Sequence, residues 1–181
     1  HRGLMKKLFN IKVNLSSLDL MRSDCSSHFI RMMDDMDIQH DWIQFEITET
    51  VATEYNAGLG MVVDGFMAAG VRLCLDDFGS GYANLNTVMR LPFSAIKIDR
   101  TLLFDICNDK KRAMFYQSII ETFHRMGYSI VSEGVETEEE MSLLSSWGVD
   151  MIQGYYFSKP LPVNKFIECI SKNPIFLFDK E

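Results

Sequence analysis

The chain has 181 residues, enough for one domain with a sizeable core, and its 47% hydrophobic and 24% charged residues are the proportions of an ordered globular protein. Its 25 acidic against 18 basic residues give a formal net charge of -7, which argues against a nucleic-acid polymer or an anionic membrane as partner. The four cysteines, Cys25, Cys74, Cys107 and Cys169, show no paired spacing, no signal peptide precedes the first strand, and no apolar run approaches the roughly 20 residues of a membrane span. The expectation is a reduced, cytoplasmic protein without membrane contact.

In chain order, NIKVNL (10–15) reads as a strand and 18–35 as a helix. WIQFEIT (42–48) and a helix over 53–69 follow, then VRLCLDD (71–77) and 83–90, SAIKID (94–99) and 110–126, YSIVSE (128–133) and 137–147, and DMIQGY (150–155) and 163–172. Gly70, Gly127 and Gly148 stop helices, and Thr137 ahead of three glutamates is an N-cap with acids at the positive end of the helix dipole. No composition shift or linker interrupts the pattern, so residues 1–181 read as a single domain.

Six successive βα units imply a parallel sheet with right-handed crossovers, either an open doubly wound sheet or a closed barrel. Strand after strand carries its polar group at the C-terminal end, which favours a (β/α)8 TIM-type barrel, whose active site is built there. A complete barrel has eight strands in about 250 residues. The expectation is therefore an N-terminally incomplete barrel, with about six of eight units present.

LCLDDFGSGYANL (73–85) poses the main chemical question, because a buried strand ends on two adjacent carboxylates. The strand ends carry Asn14, Glu46, Asp76 with Asp77, Lys97 with Asp99, Glu133, and Gln153. Converging the four carboxylates Glu46, Asp76, Asp77 and Glu133 without cations would cost several kcal/mol in desolvation and repulsion. Lys97 supplies one positive charge. Oxygen donors without histidine or thiolate favour Mg²⁺ or Mn²⁺, and paired acids such as Asp76 and Asp77 suit two ions about 3.5–4 Å apart. Taken singly, each residue has a plainer reading. An acid can cap a helix, Lys97 can form a structural ion pair, and Gln153 can bond to backbone. Gly79 and Gly81 can serve a tight turn, and Glu49 and Glu136 suit a supporting or capping place. Recurrence across four strands favours the metal reading.

The stretches KVNLSS (12–17), FEITET (45–50), LDDFGSGYANL (75–85), LPFSAIKIDR (91–100), VSEGVETEEE (131–140) and IQGYYFSKPLP (152–162) together resemble the EAL-domain cyclic di-GMP phosphodiesterases. That resemblance implies hydrolysis of cyclic di-GMP to linear pGpG with two divalent ions, Mg²⁺ or Mn²⁺. It implies a metal shell of Asn14, Glu46, Asp76, Asp77 and Glu133, and catalytic roles for Lys97, Gln153 and Asp77. Glu49 resembles the acid that anchors the DDFGSG loop, Glu136 a further supporting acid, and Asp99 the acid of the KID motif. Gly79 and Gly81 bracket a flexible loop. The resemblance also implies a homodimer formed near that loop and an upstream GGDEF or sensory domain.

The family's namesake motif, Glu-Ala-Leu with its arginine, is absent from the sequence, as expected if it lies on a strand ahead of His1. The alternative is a catalytically inactive relative that senses cyclic di-GMP or serves as an interaction module.

Overall fold

The computed structural model describes residues 11–54, 57–81 and 85–172. The start of the 83–90 helical pattern, Tyr82–Asn84 of the glycine-bracketed loop, and Asn10 at the head of the first predicted strand lie outside them.

Six strands form one sheet in the order β1 to β6, each parallel to its successor: β1 (Ile11–Asn14), β2 (Ile43–Thr48), β3 (Arg72–Phe78), β4 (Ala95–Ile98), β5 (Ser129–Ser132) and β6 (Met151–Ile152). An open doubly wound sheet reverses its strand order at a switch point. This order never reverses, and the sheet is a curled half-barrel.

Alternation along the strands separates two faces. Phe45 of β2 meets Phe66 of α4 (Ala57–Ala68) at 4.7 Å and Phe29 of α2 (Cys25–Asp35) at 5.1 Å between ring centroids. Phe78 of β3 packs edge-on against Phe123 of α7 (Lys110–Arg125) at 5.0 Å. Tyr116 of α7 is fully buried, and its hydroxyl lies 2.6 Å from that of Ser132 on β5. Each such side chain contributes about 1.5–3 kcal/mol through burial.

Local chemistry explains where the elements depart from the hydrophobic pattern. The stretch read as one helix over 18–35 divides into α1 (Ser17–Leu20) and α2. Ser16 and Asp19 cap α1 reciprocally, and the Arg22 guanidinium donates to both Asp24 oxygens at 3.0 and 3.1 Å, holding the turn between the helices. Such bonds compete with helix continuation. A short α3 (Glu49–Thr53) begins directly after β2, ahead of the predicted start of its helix.

Two further helices, α5 (Leu85–Arg90) and α6 (Arg100–Leu103), follow β3 and β4. The second was not evident in the sequence pattern; Asp99 caps it by accepting from the Thr101 N–H at 2.9 Å. Helix α8 (Glu138–Ser146) starts at the predicted Thr137, which forms a reciprocal cap with Glu140, and α9 (Val163–Lys172) closes the described chain.

Strand β6 is shorter than the 150–155 reading. The Gln153 N–H adds one more bond, to the Ser132 carbonyl at 2.8 Å, before Gly154 turns against Val135, where a Cβ would collide with backbone. Among the described residues no helix is long and apolar enough to cross a membrane.

Candidate active site

The face of the sheet turned away from the helices carries the charge. In register, Asn14 lies beside Glu46, Glu46 beside Cys74, and Cys74 beside Ala95, so period-2 alternation brings Lys12, Asn14, Gln44, Glu46, Cys74, Asp76 and Lys97 to one side. Burial pushes the Cys74 thiol up to about 12, which leaves it an inert filler of this face.

A bulge explains the paired aspartates. Leu75 pairs with Ile96 and Phe78 with Ile98, so two residues of β3, Asp76 and Asp77, stand opposite the single Lys97 of β4. Asp77 takes the extra place in the left-handed region, at φ 58°, and its N–H donates to Asp76 Oδ1 at 3.0 Å. Aspartate tolerates this conformation better than most residues. In a regular strand, neighbours point to opposite faces; the bulge instead gathers oxygens of Asp76, Asp77 and Glu133 within 4.8 Å of one another.

Lys97 is the hub. Only 4% exposed, its Nζ lies 2.7 Å from Asp76 Oδ1, 2.8 Å from Glu133 Oε1 and 2.9 Å from Glu46 Oε1. The Glu46 contact is the longest of the three and, like the others, a close charge contact. Burial opposes the charge on Lys97, but the carboxylates outweigh it and raise its pKa. Lys97 is therefore a firmly held ammonium. Burial raises Glu133, with repulsion from Asp76 and Glu46 adding to it and Lys97 opposing. Asp77 is raised by burial and then by the charges of Asp76 and Asp99.

Three carboxylates, Glu46, Asp76 and Glu133, thus share two ammonium groups, Lys97 and Lys12, with Asp77 beside them, and the all-oxygen donor set has the chemistry of a hard divalent cation. Asp76, Asp77 and Glu133 could hold such an ion, with Glu46 beside them.

The loop after β3 is fixed at its start. The Gly79 N–H donates to Glu49 Oε2 at 3.2 Å, and its carbonyl accepts from the Thr101 hydroxyl at 3.3 Å. Gly79 has φ 93°, and a Cβ there would collide with Leu102. Of the two bracketing glycines, Gly79 is therefore pinned between α3 and α6, whereas Gly81 is exposed with open space around it.

The remaining predicted residues lie nearer the rim. Asn14 and Gln153 are exposed at the ends of β1 and β6, and Asp99 is half-buried at the α6 cap. Glu136 is exposed ahead of α8, its N–H donating to Glu140 Oε2 at 2.9 Å. The sequence reading missed Lys12 and Thr101 as parts of this arrangement. Lys12 was detectable from its place two residues before Asn14 on the same strand face, whereas nothing in the sequence marks Thr101 as a loop tether.

A family model described as EAL domain matches residues 1–160. The chain is 35% identical over 159 residues to the probable cyclic di-GMP phosphodiesterase PdeA of Escherichia coli, covering 87% of this chain and 22% of that protein. It superimposes on EAL enzyme Bd1971 in its cAMP- and cyclic-di-GMP-bound form with a TM-score of 0.86 and 28% identity, covering 93% of this chain and 48% of the other. Klebsiella pneumoniae BlrP1 in its manganese and cyclic di-GMP complex gives a TM-score of 0.80 and 29% identity, covering 88% and 41%. The chain spans only about a quarter of the length of the curated relatives it matches, 26% and 22% in two cases.

Proposed function

This chain belongs to the EAL-domain family, and on that premise we propose that its charged mouth hydrolyses one phosphodiester bond of cyclic di-GMP to give linear pGpG. The observation that carries the reading is the β3 bulge, which turns Asp76 and Asp77 together toward Glu133 and Lys97. Relatives named as cyclic di-GMP phosphodiesterases, and related folds solved with that nucleotide, support the choice of substrate.

Asp76, Asp77 and Glu133, with Glu46 and Asn14, would hold two divalent cations, Mg²⁺ or Mn²⁺, which when bound supply a polarised phosphate and an acidified water. Lys97 keeps its proton, so its part is to donate: it orients the attacking water or a phosphate oxygen and does not act as the free base. Gln153 lies at the rim, where its amide can position the same water. Glu49 and Thr101 hold Gly79, and through it the backbone that sets both aspartates.

The test is incubation of the chain with cyclic di-GMP and Mn²⁺, followed by chromatography. Linear pGpG, lost on chelation, is the expected product. Nucleotide binding without product would instead identify a sensor, and no binding an interaction module.

A further inference from the structure

Buried polar atoms without a hydrogen-bond partner are uncommon in folded proteins and call for a reason. Among the described residues, two lie together on neighbouring strands, Lys12 Nζ on β1 and Gln44 Oε1 on β2, beside Glu46 Oε1, which has ion-pair contacts alone. Lys12 and Gln44 are register partners. Gln44 uses its amide nitrogen to donate to Ser94 Oγ at 3.0 Å, leaving its oxygen unpaired. The Lys12 side chain is 18% exposed, and its Nζ lies 3.8 Å from Glu46 Oε1, too far for a hydrogen bond but close enough for a strong charge interaction.

Glu46 Oε1 is therefore flanked by two ammonium groups, Lys97 at 2.9 Å and Lys12 at 3.8 Å. Lys97 also serves Asp76 and Glu133, whereas among the described residues Lys12 meets the carboxylate of Glu46. A structural reason for Lys12 is weak, because an apolar side chain of similar length would fill the same space without desolvating a charge. Its effect is electrostatic. It withdraws negative potential from Glu46 and so from any cation bound beside it.

We propose that Lys12 sets the cation affinity of the carboxylate mouth by holding a positive charge beneath Glu46. This rests on the metal-binding reading of the mouth and goes beyond it in naming a residue, outside the ligand set, that weakens the site. Removing the charge lifts a repulsion on the cation and leaves Glu46 a better donor. Its removal also deprives the metal-free protein of one countercharge.

The experiment is calorimetric titration of the full chain with Mn²⁺, alongside thermal melting with and without the ion, on the wild type, Lys12→Met and Lys12→Arg. Lys12→Met should bind Mn²⁺ about tenfold more tightly and show a larger Mn²⁺-induced rise in Tm. Lys12→Arg, which keeps the charge, should stay near the wild type. If the wild type binds Mn²⁺ and Lys12→Met binds it equally or more weakly, the role of Lys12 is overturned while the metal reading stands. If no protein binds Mn²⁺, the functional reading falls and this inference with it. Should Lys12→Met fail to fold, Lys12→Gln provides the same neutral comparison.

Discussion

The two faces of the same six strands are built on opposite principles. On the helix-facing side, Phe45, Phe66, Phe78 and Phe123 interlock without charge, and the buried hydroxyl of Tyr116 finds Ser132. On the inner side, three carboxylates, Glu46, Asp76 and Glu133, converge on Lys97, Lys12 lies 3.8 Å from Glu46, and among the described residues Lys12 Nζ and Gln44 Oε1 are buried without a hydrogen bond. The first face holds the sheet together through apolar burial, which does not depend on divalent cations. The second is under electrostatic tension that divalent cations would relieve. The outer face is thus stabilised by apolar packing, and the inner face by ion pairs whose balance depends on the charges gathered there.

The comparison breaks most sharply at Asp77. Replacement by Asn keeps a residue that tolerates positive φ and removes only the charge, so Asp77→Asn should lower Mn²⁺-dependent turnover by about a thousandfold or more with an unchanged circular dichroism spectrum. A simultaneous loss of structure would show that the faces are not independent. On the outer face, Phe66→Ala should cost about 3–5 kcal/mol in urea denaturation, equally with and without Mn²⁺. Lys97→Met removes the hub from its carboxylates and should cost a similar ~3–5 kcal/mol in the metal-free protein. Unlike the Phe66 deficit, this one should shrink when Mn²⁺ is added. An equal deficit in both conditions would mean that cations do not share the role of Lys97.

Much of this division was legible in the sequence. The six strands, their order and the polar residues at their ends follow from period-2 alternation punctuated by glycines. That alternation also explains why Glu46, Asp76 and Lys97 meet. The bulge was not legible, because alternation alone would send Asp77 to the helix side; only the three-residue step from Leu75 to Phe78 reveals the shift. Helix α6 was hidden because four residues are too few to establish a 3.6-residue period, and α1 separates from α2 through side-chain bonds that hydropathy does not register. Lys12 lay on the same strand face two residues before Asn14, but only the register of β1 with β2 shows it 3.8 Å from Glu46.

Smaller effects sharpen the account of the outer layer. Thr137→Ala, which removes the acceptor for the Glu140 N–H, should cost about 1 kcal/mol of stability without altering Mn²⁺ affinity. His40 offers a pH test. Its Nδ1 lies 2.8 Å from the Ala69 carbonyl and its Nε2 2.9 Å from Asp34 Oδ1, two acceptors that together favour the doubly protonated ring. The carbonyl first, and then Asp34, raises its pKa above the ordinary 6.5. The folded state therefore holds this proton more tightly than the unfolded chain does. Its stabilising contribution is complete below pH 6.5 and is lost as pH rises through the raised value. Denaturation midpoints of the wild type and His40→Gln should accordingly converge above that window and separate below it.

The most direct test of the central claim is anomalous diffraction from crystals grown with Mn²⁺. The account predicts density among the oxygens of Asp76, Asp77 and Glu133, with the Lys97 ammonium no longer the sole cation bridging the group. Well-ordered crystals with no anomalous peak there, and Lys97 still joining Asp76, Glu133 and Glu46, would contradict it.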